Sequence, residues 1–226
     1  LDGTLIDSAL GIINSFEYAL SKYNISVGKE ELSTLIGPPL MDSFMNHFGF
    51  DKEKATQAVG YYREYYKSKG AMENELYHDV INLLKELKKE EYTLCIATSK
   101  PEVFTLEILA HYDILKYFSY VSAPSIDDTT TKKEDIILKA INTLNLNPKE
   151  TIMVGDRKHD IIGANSNNIA SIGVLYGFGN KEELEKENAT FIVSEVLDIL
   201  DCLKPRKVME KYKAIERSII TTYRSK

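Results

Sequence analysis

The sequence predicts a doubly wound α/β fold: a mostly parallel sheet covered by helices, with a helical insert near the start. Three observations predict it. Apolar runs rich in Val, Ile and Tyr recur at residues 92–97, 120–123, 152–154, 172–176 and 191–193, the composition and length of strands. Amphipathic stretches at 101–112, 133–144 and 160–168 separate them, and repeated strand–helix alternation builds a parallel sheet. From residue 8 to about 77 that alternation is missing and apolar positions follow helical spacing instead.

Taken in order, Leu10, Ile13, Phe16 and Leu20 fall on one helical face, and Gly37-Pro38-Pro39 breaks the run before Met41, Phe44 and Phe48. Asp51 is placed to cap a long helix that Gly70 would end. Within it Tyr61, Tyr62, Tyr65 and Tyr66 surround Arg63. Pairs of aromatics four apart make a packing face, while Arg63 could reach a ligand instead. The division that follows is a core of residues 1–8 and 78–203, a helical insert over 9–77, and a basic tail over 204–226. The tail holds eight Lys/Arg against two Glu, and Val208, Ile215, Ile219 and Ile220 could line one face of a helix.

Composition narrows the function classes. A net charge of −6 argues against a generally basic nucleic-acid protein. Two cysteines, Cys95 and Cys202, point to a reduced, cytoplasmic protein without a disulfide framework or Cys-based zinc site. No apolar run approaches the roughly 18–20 residues of a membrane span. His47, His78 and His111 show no ligand spacing. A chain of 226 residues with 43% hydrophobic content suits one core plus a modest insert, as a monomer or homodimer.

Sites in such sheets lie at the carboxyl ends of the strands, and four segments fit that place. They are Leu1-Asp2-Gly3-Thr4-Leu5, Ala97-Thr98-Ser99-Lys100, Lys132-Lys133 at a helix start, and Gly155-Asp156-Arg157-Lys158-His159-Asp160. A phosphomonoester dianion needs positive charge and hydrogen-bond donors around it, and a carboxylate nucleophile needs a cation to approach phosphorus. Carboxylates converging at strand ends repel one another without a divalent ion between them, and oxygen-only ligands suit Mg²⁺.

In order and spacing the four segments resemble the motifs of the haloacid dehalogenase superfamily. With its helical insert after the first motif, and with IATSKPEVF and MVGDRKHDIIGA, the chain is similar to the small-cap group of phosphoglycolate phosphatases and 5′-nucleotidases. The resemblance implies Mg²⁺ held by Asp156, Asp160 and the main-chain carbonyl of Asp2. It implies Lys133 neutralising nucleophile and phosphate, Thr98 donating its hydroxyl to a phosphoryl oxygen, and Gly3, Ser99 and Arg63 contacting substrate. In the pattern DxDGT the first Asp attacks and the second is the general acid/base, so Asp2, directly before Gly3-Thr4, corresponds to the acid/base. The nucleophile is then expected just before Leu1, at the end of an apolar strand, and the chain as it stands is expected to be inactive.

Several readings stay open. Asp156 and Asp160 would serve equally in a strand–turn–helix cap, and Thr98 and Ser99 as the N-cap of a helix with Pro101 at its first position. Lys132 competes with Lys133. The expected activity is hydrolysis of a small phosphorylated metabolite, a 5′-nucleotide or phosphoglycolate, through an aspartyl phosphate. Its rivals are a sugar phosphomutase and a non-catalytic relative that binds a phosphorylated ligand.

Overall fold

The computed structural model describes residues 1–37, 39–126, 128 and 131–204; the expected basic tail lies outside the described residues beyond Lys204. Two short strands, β1 (Ile6–Asp7) and β2 (Glu75–Leu76), pair antiparallel with Ile6 opposite Leu76. The chain enters and leaves its helical unit through this ribbon, which helical periodicity gave no means of seeing. Between them lie α1 (Ala9–Ser21), α2 (Lys29–Ser33), α3 (Leu40–Asp42), which runs on into a π-helical turn at Ser43–His47, and α4 (Lys52–Ser68).

Asp51 caps α4 as expected, accepting from the Lys54 N–H at 2.8 Å. Gly70 does not end the helix: α4 stops at Ser68, and Gly70 opens a 3₁₀ turn packed against α1, where a side chain would strike the Gly11 carbonyl and the Ser15 hydroxyl. Phe16 and Phe44 are wholly buried in this unit, with Leu20, Leu32, Ala55 and Tyr62. Full burial of each large side chain stabilises by about 1.5–3 kcal/mol.

The second apolar cluster belongs to the sheet and its helices. In chain order these are α5 (Val80–Lys89), β3 (Cys95–Ala97), α6 (Glu102–His111), β4 (Tyr120–Ser122), α7 (Lys133–Leu144), β5 (Ile152–Gly155), α8 (Lys158–Ser166), β6 (Ala170–Val174), α9 (Lys181–Lys186), β7 (Phe191–Val193) and α10 (Asp198–Cys202). Every strand pairing here is parallel: β3 with β4, and β5 with β6 with β7. This is the α/β architecture that the alternation predicts. The expected strand at 172–176 sits two residues earlier, because Ala170 and Ser171 pair with Ile152 and Met153. Pro101 is the N-cap of α6 and not its first residue, and no side chain caps that helix.

Among the described residues β3 pairs only with β4, and β5 only with β6. Both strands line a cavity of about 700 Å³ whose walls include Leu5, Leu84, Ile96, Ile137 and Met153. No helix among the described residues is long and apolar enough to cross a membrane.

Candidate active site

The carboxyl ends of β3 and β5 and the start of α7 meet around a second, smaller cavity of about 140 Å³, lined by Asp2, Thr98, Lys133, Asp156 and Asp160 among others. Lys133 is the first residue of α7, so its side chain leans back over the strand ends. Its Nζ lies 3.0 Å from an Asp160 carboxylate oxygen and donates to the Ala97 carbonyl at 3.2 Å. Lys132 points to solvent, its nearest acid Glu134 at 4.0 Å. Asp160 also accepts from the Arg157 N–H at 3.1 Å. Burial works against the Asp160 charge, but Lys133 outweighs it and holds the carboxyl below its ordinary range.

Asp156 has the opposite fate. It is 3% exposed and accepts from the Phe178 N–H at 3.0 Å and the Thr4 hydroxyl at 3.3 Å, and no cation among the described residues pairs with it. Burial first, and then the Asp160 charge, push its carboxyl up to about 6. The loop that carries it closes tightly. Gly3 has φ +69°, and a Cβ there would sit 2.1 Å from the Asp156 carboxylate, so only glycine lets the first motif lie against the fourth.

Thr98 is buried at the end of β3 and its hydroxyl oxygen accepts from the Lys100 N–H at 3.1 Å. The hydroxyl proton is therefore available to an incoming oxygen. Ser99 borders the cavity and is exposed. Sequence reasoning passed over Lys100, although it stands two residues after Thr98. Its buried ammonium reaches Asp2 at 2.6 Å and donates to the Tyr66 hydroxyl of α4 at 2.5 Å. Burial opposes the Lys100 charge, yet Asp2 and Tyr66 raise its proton affinity overall. Correspondingly Asp2 is lowered, with Lys100 overcoming burial.

Arg63 stands apart from the site. It is exposed and lines neither cavity, because Tyr62 and Tyr66, one turn apart, take the inward face of α4 and put Arg63 about 100° away from it. Tyr66 stacks on Tyr62 at 5.8 Å and meets Phe104 edge-on at 5.3 Å. The helical unit's contribution at this point is thus a phenol. His159 borders the small cavity but is exposed, its proton affinity lowered by burial and then by Lys158 and Arg157.

Among the described residues no three His, Cys, Asp or Glu side chains gather as metal ligands. Two carboxylates do converge, Asp160 paired with Lys133 and Asp156 buried with no ion-pair partner among the described residues. That all-oxygen donor set fits a small hard cation such as Mg²⁺.

An α/β sheet with cations and carboxylates at its strand ends is the frame of a phosphate-ester hydrolase. Comparison with known proteins places it more closely. Residues 1–174 match the family model described as haloacid dehalogenase-like hydrolase, and the chain belongs to that family, as a phosphatase. It is 37% identical over 207 residues to a 5′-nucleotidase of Pseudomonas aeruginosa, covering 90% of this chain and 93% of the relative. It is 34% identical to the tyrosine-protein kinase PtkA of Mycobacterium tuberculosis, covering 85% of this chain and 66% of that protein. The crystal structure of a predicted phosphatase from Clostridium acetobutylicum superposes with a TM-score of 0.81 at 46% identity, over 88% of this chain and 93% of that one.

Proposed function

We propose that the protein hydrolyses a small phosphomonoester with Mg²⁺, through an aspartyl phosphate, with 5′-nucleotides and phosphoglycolate the leading substrates. The observation that carries this reading is Asp156, a buried carboxylate with no ion-pair partner among the described residues, beside Lys133 and Thr98 in one cavity. Mg²⁺ would be held by Asp156, the main-chain carbonyl of Asp2 and, directly or through water, Asp160; when bound it screens the phosphoryl charge from the carboxylates. Thr98 donates its hydroxyl to one phosphoryl oxygen, and Lys133 places positive charge against another.

The attacking carboxylate is assigned to an extended apolar segment seated between β3 and β5 and leading into Leu1; the apolar cavity that both strands line supports the placement. Protein without that segment is inactive on this reading. As the bond from phosphorus to the ester oxygen breaks, the Asp2 carboxyl gives its proton to the leaving alkoxide. As a carboxylate it then takes a proton from the water that opens the aspartyl phosphate. Lys100 favours the carboxylate form, the one the second step needs, and the arriving phosphoryl dianion counters the lysine in the first. The helical unit of residues 9–77 acts as a cap whose closure excludes bulk water.

The test is Mg²⁺-dependent phosphate release by the full-length protein from 5′-nucleotides, phosphoglycolate, sugar phosphates and pyrophosphate. Release that stops on chelation and on Asp156→Asn is the expected result. An isomerised sugar phosphate without phosphate release would point to a mutase, and phosphate-ligand binding with no turnover to a non-catalytic relative.

A further inference from the structure

The small cavity has a side that no catalytic role uses. Arg157 follows Asp156 directly, yet its side chain turns away from the strand ends and crosses to the helical unit. There its Nη1 donates to the Ile36 carbonyl at 2.7 Å. Its Nε donates to Glu183 at 2.8 Å, and the same Glu183 oxygen accepts from the Lys158 N–H at 2.9 Å, so the guanidinium is aimed by a carboxylate on α9. The next residue of the helical unit is Gly37, with φ +111°, and a Cβ there would lie 2.0 Å from Arg157 Nη1. Gly37 and Arg157 both line the cavity. The main chain of Arg157 meanwhile donates to Asp160, the partner of Lys133.

Resting on the phosphatase reading, we propose that Arg157 is a positioning residue that latches the cap loop at Ile36–Gly37 over the active-site cavity. Glu183 aims it, and Gly37 is bare so that the guanidinium fits. A latch of this kind works by population. Removing one charge-assisted hydrogen bond shifts an open–closed equilibrium toward open by roughly ten- to a hundredfold. If only the closed form binds substrate productively, apparent affinity falls by the closed fraction lost, while saturating substrate restores closure. The effect therefore falls on KM, not on kcat.

A purely structural role predicts something else. If Arg157 only shaped its own loop, its loss would disturb Asp160 and Lys133 through the Asp160 hydrogen bond and lower kcat. The test compares Arg157→Met, Gly37→Ala and the double variant in the full-length protein, with Glu183→Gln as a variant that keeps the shape and removes the charge. The expected result is KM raised about tenfold or more with kcat within about twofold for Arg157→Met and for Gly37→Ala, and no further rise in the double variant. Glu183→Gln should give a smaller rise of the same kind.

A second measurement needs no turnover: amide hydrogen exchange over residues 32–37 should speed up in Arg157→Met relative to wild type. Unchanged exchange there, additive effects in the double variant, or a loss confined to kcat overturns the latch. Wild-type protein that releases no phosphate from any substrate would overturn the phosphatase reading instead, and the exchange comparison would still decide whether Arg157 holds the loop.

Discussion

Two Lys–Asp pairs flank the same cavity and are built differently. In Lys133–Asp160 the side chains are 13% and 9% exposed, and every partner of the pair comes from the sheet and its helices: the Ala97 carbonyl, the Arg157 N–H and each other. In Lys100–Asp2 the lysine is 6% exposed and the acid 26%, and the lysine's other partner is Tyr66 on α4 of the helical unit. The first pair stays formed whatever the helical unit does. The second shares its cation with an element that, on the cap reading, moves. On the proposed mechanism, permanent charge thus sits where phosphate would be held, and adjustable charge where a proton would be transferred.

The sharpest way to break the comparison is Lys133→Met. It leaves Asp160 buried without its cation, which costs roughly 3–5 kcal/mol. A fall of that size in urea-unfolding stability is expected, with activity lower by about a thousandfold or more. Asp156→Asn should go the other way for the protein without metal. Its folded-state carboxyl is raised to about 6, so the folded protein binds that proton more tightly than the unfolded chain and the charged form destabilises above that pH. The variant should be more stable by about 3 kcal/mol at pH 7.5, a gain that shrinks as pH falls from about 6 toward about 4. Denaturant melts at several pH values would show it, and a gain independent of pH would contradict the assignment.

Lys100→Met should be milder in stability, about 1–2 kcal/mol, because water reaches the partly exposed Asp2; activity should fall about ten- to a hundredfold. Tyr66→Phe keeps both ring contacts and removes only the hydroxyl, so its stability effect should be about 1 kcal/mol or less. If Lys100→Met proved as damaging to folding as Lys133→Met, the two pairs would not differ as described.

The same contrast marks how far the sequence could be read. Asp2, Thr98, Lys133, Asp156 and Asp160 all gather at one cavity because strand-end positions follow from strand–helix alternation, which is local. The choice of Lys133 over Lys132 needed the helix start, where one residue turns the side chain by about 100°. What escaped reading were contacts between distant segments: Lys100 with Tyr66, Arg157 with the Ile36 carbonyl, and the β1–β2 ribbon. The aromatic spacing reads as a packing face, and Tyr62 and Tyr66 do take the inward side of α4; the substrate contact expected of Arg63 rests on its charge and on resemblance, and Arg63 is exposed outside the cavity. Charge alone does not tell which side of a helix is buried.

The most direct test of the cavity as a phosphate site is calorimetric titration of inorganic phosphate into the protein in the presence of Mg²⁺, for wild type, Lys133→Met and Lys132→Met. Phosphate should bind wild type and Lys132→Met alike and bind Lys133→Met at least tenfold more weakly, since Lys133 lines the cavity and Lys132 does not. Equal binding by all three, or a loss in Lys132→Met, would contradict the placement of phosphate between Thr98, Lys133 and Asp156.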